Sequence, residues 1–383
     1  TTHEIAQDGA DYYVKSTGDY VNRSKYISVK SVLTPTPNFF NNAGGVNSGS
    51  AGTLYSKFIP VASSGSFTGA TGANIQASMS PAKFNSNIID TNIQGLTATD
   101  YSASISLLNN KDDYNFNVVV APGLIGDSSF TNSLVQVNSL VALAENRQDC
   151  ITVVDPSAYG KTVSQTVASA TAFDSSYAAA YWPWLQAIDP TSGMTTWSPA
   201  SAFIPGVYSF TDASSEPWFA PAGLVRGALG NVIRAEQRLT SGQRDTLYSG
   251  NVNPIATFPA SGVVVFGQKT LQRRASALDR VNVRRLLIAV KSFIVQVSDN
   301  LVFEQNTIST RNNFLTQVNP YLESVQQRQG LYAFKVVMNE TNNTPDVIDR
   351  NELVGAIYLQ PTKTAEFIIL DFNVLPTGVD FPA

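Results

Sequence analysis

Three short apolar runs, separated by two segments of helical spacing, constrain this chain more than any other feature. Asn117-Val118-Val119-Val120-Ala121 reads as a buried strand, ended by Pro122-Gly123. Phe130, Leu134, Val137, Val141 and Ala144 then step by four and three along one helix face. Cys150-Ile151-Thr152-Val153-Val154 is a second strand, ended by Asp155-Pro156. Residues 160–172 suit another helix, and Tyr177-Ala178-Ala179-Ala180-Tyr181 a third strand. Strand and helix alternating at this spacing predict parallel pairing with helices on the sheet faces, an α/β core. Ahead of it, Tyr101, Ile105 and Leu108 mark a shorter helix that Thr97 or Thr99 can cap.

The flanks read differently. Residues 1–92 alternate β-prone pieces (Tyr12-Tyr13-Val14, Tyr26-Ile27-Ser28-Val29, Phe58-Ile59-Pro60-Val61) with glycine- and asparagine-rich loops. They are assigned as an irregular, β-rich outer region. Beyond it the sequence divides into an α/β core over 93–240 and an α+β C-terminal region over 241–383. In the latter, Val283 to Leu301 carries one apolar helical stripe with Arg284, Arg285 and Lys291 off it. Phe314, Val318, Leu322 and Val325 mark a further helix, interrupted or restarted at Pro320 and closed by Gly330. Strands are expected over 332–338, 353–359 and 366–374, in a small, mainly antiparallel sheet.

Chemistry is hard to find. One histidine (His3) and one cysteine (Cys150) in 383 residues cannot build a clustered metal site or an internal disulfide. Gly160-Lys161-Thr162 follows a strand and opens a helix, as a phosphate-binding loop does. That loop needs a glycine where Asp155 stands, and Pro156 removes an amide. Pro122-Gly123-Leu124-Ile125-Gly126 lacks the third glycine of a dinucleotide loop. Trp182, Trp184, Trp197 and Trp218 suit contacts between domains or subunits better than a sugar platform. No Ser-His-Asp arrangement or marked pair of acids stands out. No catalytic residue, cofactor or metal ligand is assigned.

The formal net charge of -4 argues against nucleic acid as the main partner, and no apolar run reaches the ~18 residues of a membrane span. Charged residues make up only 14%, against about 25% in ordinary soluble domains. A surface so weakly charged repels its own copies little, which suits a subunit packed among many. Within it, Arg280, Arg284 and Arg285 stand out as a candidate partner interface. Arg280 and Arg284 lie one helical turn apart, and the stripe beginning at Val283 leaves them pointing outward or along a contact. A solvated helix face and a contact to acidic side chains both fit.

Taken in order, Trp218-Phe219-Ala220-Pro221-Ala222-Gly223, Leu239-Thr240, Leu247, Asn253-Pro254-Ile255, Gly262-Val263-Val264-Val265-Phe266-Gly267, Thr270-Leu271 and Asp279-Arg280-Val281-Asn282-Val283-Arg284-Arg285 resemble the core of contractile-tail sheath proteins. That family includes the sheaths of contractile bacteriophage tails, contractile bacteriocins and type VI secretion systems. Arg147-Gln148-Asp149-Cys150, Ser175-Ser176-Tyr177 and the run from Thr341 to Glu352 are similar to the large contractile phages in particular.

The resemblance implies a non-enzymatic virion protein, assembled in the host cytoplasm into stacked sixfold rings around an inner tail tube. A baseplate trigger would start contraction and drive the tube through a cell envelope for genome ejection. Implied partners are other sheath subunits, tied by terminal arms that exchange strands, with the tube, the baseplate and the tail terminator. Nucleic acid and membrane insertion are not among them. Set against the family, the sequence is expected to lack the N-terminal core segment and arm and to start like the cut end of a longer protein; a monomer that keeps the fold is expected. The alternative is a tail-fibre or receptor-binding protein, suggested by the polar β-rich start and the tryptophans.

Overall fold

The computed structural model describes residues 98–188 and 195–366, with the backbone of three N-terminal strands. These are β1 (Thr2–Asp8), β2 (Asp11–Thr17) and β3 (Phe40–Asn41), an antiparallel sheet in that order. The other pieces expected within 1–92, and the last expected strand beyond Glu366, lie outside the described residues.

From Ala98 the chain runs α1 (Tyr101–Leu107), β4 (Val118–Ile125), α2 (Thr131–Arg147), β5 (Ile151–Asp155), α3 (Val163–Ala170) and β6 (Ala178–Trp182). Then follow β7 (Leu185–Ile188), β8 (Thr195–Ser198), α4 (Ile204–Ser214), β9 (Val232–Ala235), α5 (Ser241–Ser249), β10 (Val252–Phe258) and β11 (Gly262–Val265). Helices α6 (Val281–Asp299) and α7 (Ile308–Gln327), strand β12 (Leu331–Val337), the short α8 (Pro345–Asp349) and β13 (Ala356–Pro361) complete it. Two compact units divide at Ser292/Phe293.

The first unit is built on a five-stranded sheet of order β11-β10-β6-β5-β4. The pairs β4–β5, β5–β6 and β6–β10 are parallel, and β11 runs antiparallel at the edge. The sheet therefore crosses residue 240, where the sequence reading divides the core from the C-terminal region. Every residue of β5 and β6 is buried, because side chains on both faces meet apolar layers. Val154, Ala178, Ala180 and Trp182 pack with α1, α2, α3 and α5 on one face. Ile151, Val153, Ala179 and Tyr181 pack with α4 and α6 on the other.

Local chemistry places the helix starts. Thr162 with Gln165 and Thr240 with Gln243 each form a reciprocal capping box, so α3 and α5 begin one residue later. Strand β4 does not end at Pro122-Gly123. It continues to Ile125 across a register shift, with Gly123 at φ 100, a left-handed conformation that glycine adopts without strain. Four-residue β7 carries the second sheet, β8-β7-β9, which is antiparallel throughout.

In the second unit α7 runs unbroken through Pro320, where an interruption was expected. Phe314, Val318, Leu322 and Val325 are buried along one face while Pro320 sits on the exposed side. Burying four such side chains outweighs the ~3 kcal/mol cost of an interior proline. Phe293 and Tyr321 stack at 3.9 Å, and β12 pairs with β13 antiparallel.

Candidate functional site

The residues that stand out in the sequence meet in one place beside the main sheet. Asn253, at the second position of β10, holds the incoming chain. Its Nδ2 donates to the carbonyls of Ala180 (3.0 Å) and Lys269 (2.8 Å), and its Oδ1 accepts the Lys269 N–H at 2.6 Å. This requires close approach at Gly267, where a Cβ would stand 2.9 Å from Pro254 Cδ and 3.0 Å from Asn253 Oδ1. Leu271 N–H then bonds the Ala178 carbonyl at 2.8 Å, and Thr270 Oγ1 donates to the Leu278 carbonyl at 3.0 Å. The Val281 N–H returns to the Gln268 carbonyl at 2.8 Å, and Asn282 Nδ2 reaches the Trp218 carbonyl at 3.1 Å. The result is a knot that ties β10, the 266–280 loop and the first turn of α6 to the sheet.

The three candidate arginines take different positions. Arg284 and Arg285 do not point outward: they are 6% and 5% exposed. The apolar stripe is only one of the covered faces, since every residue from Val281 to Leu286 is buried. Arg284 lies over the Tyr177 ring at 3.9 Å and donates to Ser176 Oγ. Its burial pulls the guanidinium below the ordinary arginine value, which Tyr177 opposes. Arg285 donates to both carboxylate oxygens of Asp212 on α4 and sits 4.7 Å from the Tyr208 ring. Arg280 alone of the three reaches solvent, with a quarter of its side chain exposed, 3.0 Å from Asp279.

Two tyrosines and the cysteine packed against the sheet titrate above their ordinary values. Tyr181 and Tyr208 share a 2.8 Å hydroxyl bond, and burial pushes Tyr208 up to about 12 and Tyr181 up as well. Burial, with the Asp149 carboxylate, pushes the Cys150 thiol up to about 12.

At the other end of the sheet, beyond the C-terminal ends of β4 and β6, on the side where open α/β folds hold ligands, aromatic side chains cluster. Trp184 and Trp197 are buried there with Tyr159 against them, so these tryptophans belong to the core of the unit. Trp182 and Trp218 are buried as well, at 1% and 6% exposure. The Gly160 N–H donates to Glu236 Oε1 at 2.5 Å, and the Thr162 N–H to Gln165 Oε1 at 3.0 Å. Two amides that a phosphate would use are thus engaged. Among the described residues no cluster of three His, Cys, Asp or Glu is placed to hold a metal ion.

Comparison with known proteins gives this arrangement its context. Residues 94–271 match the phage tail sheath protein central domain, and residues 274–375 match the phage tail sheath C-terminal domain. The chain belongs to the phage tail sheath family. The tail sheath protein of Enterobacteria phage T4 is 33% identical over 303 residues, covering 75% of this chain and 46% of that protein. That of Vibrio phage KVP40 is 32% identical over 313 residues, covering 74% and 46%. The chain spans about half the length (46%) of these curated relatives.

Among solved structures, the sheath complex of an extracellular contractile injection system in its contracted state aligns at TM-score 0.60 and 25% identity, covering 73% of this chain and 75% of that one. An anti-feeding prophage baseplate, sixfold symmetrised, aligns at 0.61 and 24%, with the same coverage, a likeness of fold. None of these likenesses favours the tail-fibre alternative. The seam between the two sheath domains, residues 271 to 274, passes through the knot. Asn253, Gly267 and Thr270 carried the sequence resemblance without their role being evident. Ser176 had a similar place in it, while Asp212 and Tyr208 had no signal.

Proposed function

We propose that this sheath-family chain is a structural subunit of a contractile phage tail, stacking as rings around an inner tube and contracting to drive that tube through a cell envelope. The observation that carries the reading is the match of two consecutive sheath domains over most of the chain, 94–271 and 274–375. The likeness to a contracted sheath complex supports it. Its place is the virion tail, after assembly in the host cytoplasm.

In this reading the knot supplies the rigidity that such a part needs. A subunit that changes neighbours without refolding moves as a rigid body, and the work comes from a better set of subunit contacts, with no nucleotide consumed. In this reading copies are tied by terminal arms that add strands to a neighbour's sheet. The β12–β13 ribbon suits that role: among the described residues it has two strands, and so small a sheet is marginal until extended. The baseplate, the tube and the tail terminator are the other partners. In this reading Arg280, the partly exposed one of the three arginines, meets a partner, while the buried Arg284 and Arg285 hold the helix that carries it.

Electron microscopy of the full-length protein tests the assignment. Hollow cylinders of stacked rings are expected. Compact trimers that bind cells or glycans would replace this reading with the fibre alternative.

A further inference from the structure

Charge is distributed unevenly along this chain. In total it carries 25 basic and 29 acidic side chains, yet residues 226–291 hold eleven of the basic and only three of the acidic ones. Part of this excess reaches the surface on the loop that leaves the knot. Residues 273–277 are all exposed, and Arg273 and Arg274 lie among them. The loop borders an open cleft of about 540 Å³ lined also by Lys269, Asp279, Arg280 and the backbone turn at 249–251. The cleft sits at the strand-start end of the sheet, beside Leu271 and its bond to Ala178, away from the usual ligand end of an α/β fold.

The opposite charge gathers in the second unit. Residues 340–352 hold Glu340, Asp346, Asp349 and Glu352, all exposed, against Arg350, which pairs with Glu352 at 3.1 Å. They frame the exposed side of α8, where Ile348 is 39% exposed. Among the described residues a basic loop and an acidic segment are thus both solvent-facing and carried by different units.

We propose that the Arg273–Arg274 loop and its cleft receive the acidic 340–352 segment of a second copy of this chain. Two different patches meeting head to tail generate a ring or a helix rather than a closed pair, the geometry a sheath requires. Opposite charge steers the encounter and fixes its register, and a wrong register meets like charge. The inference rests on the sheath reading and adds the identity of one contact.

Charge exchange in full-length protein tests it. Arg273→Glu with Arg274→Glu, and separately Asp346→Lys with Asp349→Lys, should each raise the concentration needed for tube formation about tenfold. All four substitutions sit on exposed positions, where effects on folding are small. The chain with all four should polymerise close to wild type. Joining the arginine pair instead to Asp112→Lys and Asp113→Lys, exposed elsewhere, restores net charge alone and should not rescue. Wild-type-like tubes from either pair, or no better assembly from the fourfold variant, would overturn the contact. Wild-type protein that forms no tubes would overturn the sheath reading and the contact with it.

Discussion

Arg285 on α6 donates through one nitrogen, Nη2, to both carboxylate oxygens of Asp212 on α4, at 2.8 and 2.6 Å, across 73 residues of sequence. The arginine is 5% exposed and its partner 29%. The pair fastens the helix that begins at the knot to the helix layer on that face of the sheet.

Its removal should cost folding stability. Breaking a buried ion pair costs about 3–5 kcal/mol, and water reaching Asp212 recovers part of it, so about 2 kcal/mol is expected for Arg285→Met. Arg280→Ser, at a partly exposed pair, should stay within about 1 kcal/mol. Urea midpoints of the two variants measure the contrast. Equal shifts would show that burial of Arg285 does not matter to the fold.

The knot predicts a second contrast. Gly267→Ala forces a methyl against Pro254 and Asn253, and overpacking of this kind costs about 1–3 kcal/mol. Asn253→Ala leaves the Lys269 N–H and two carbonyls without their present partners, about 2–4 kcal/mol. Because both act on one contact, the double variant should lose less than the sum of the singles. Strict additivity in thermal or urea unfolding would argue against one cooperative tie.

Asp155 makes stability depend on pH. Its Oδ1 accepts the Ser201 N–H at 3.0 Å and its Oδ2 the Ser201 hydroxyl at 2.5 Å, but burial is the larger effect and pushes the carboxyl up to about 7. In the unfolded chain an aspartate titrates near ~3.9. The folded protein therefore binds the extra proton, and this group's contribution is full below about pH 4 and lost as pH rises towards 7. Asp155→Asn removes that slope. Relative to wild type, its melting temperature should be higher at pH 8 than at pH 4; a constant difference would contradict the assignment.

Nucleotide should leave the fold indifferent. With the Gly160 amide on Glu236 and the Thr162 amide on Gln165, ATP with magnesium should not move the melting temperature. A true ligand at a hundred times its dissociation constant would add about 2.7 kcal/mol, a shift thermal scanning readily detects.

What the sequence made legible follows from how each signal arises. Strands β4, β5 and β6 announce themselves because both faces are buried, giving continuous apolar runs such as Ile151 to Val154. Strands β7 to β9 do not, since four residues containing Gln186, Thr196 or Arg234 carry no readable period. Val263 to Val265 stood out as an apolar run, but its pairing with β10 is set by contacts that periodicity does not encode. The arginines show the limit of the helical stripe. A stripe predicts which side is apolar, and it says nothing about a second layer closing over the polar side. Asp212, Tyr208 and Tyr177 supply that layer from distant segments, and only the fold brings them together.

Cryo-electron microscopy of full-length tubes before and after contraction shows whether subunits move as rigid bodies. Stacked rings are expected whose subunits change neighbours while the five-stranded sheet, Asn253–Lys269 and Arg285–Asp212 superimpose in both states. A knot that opens or a sheet that repacks on contraction would contradict rigid-body motion.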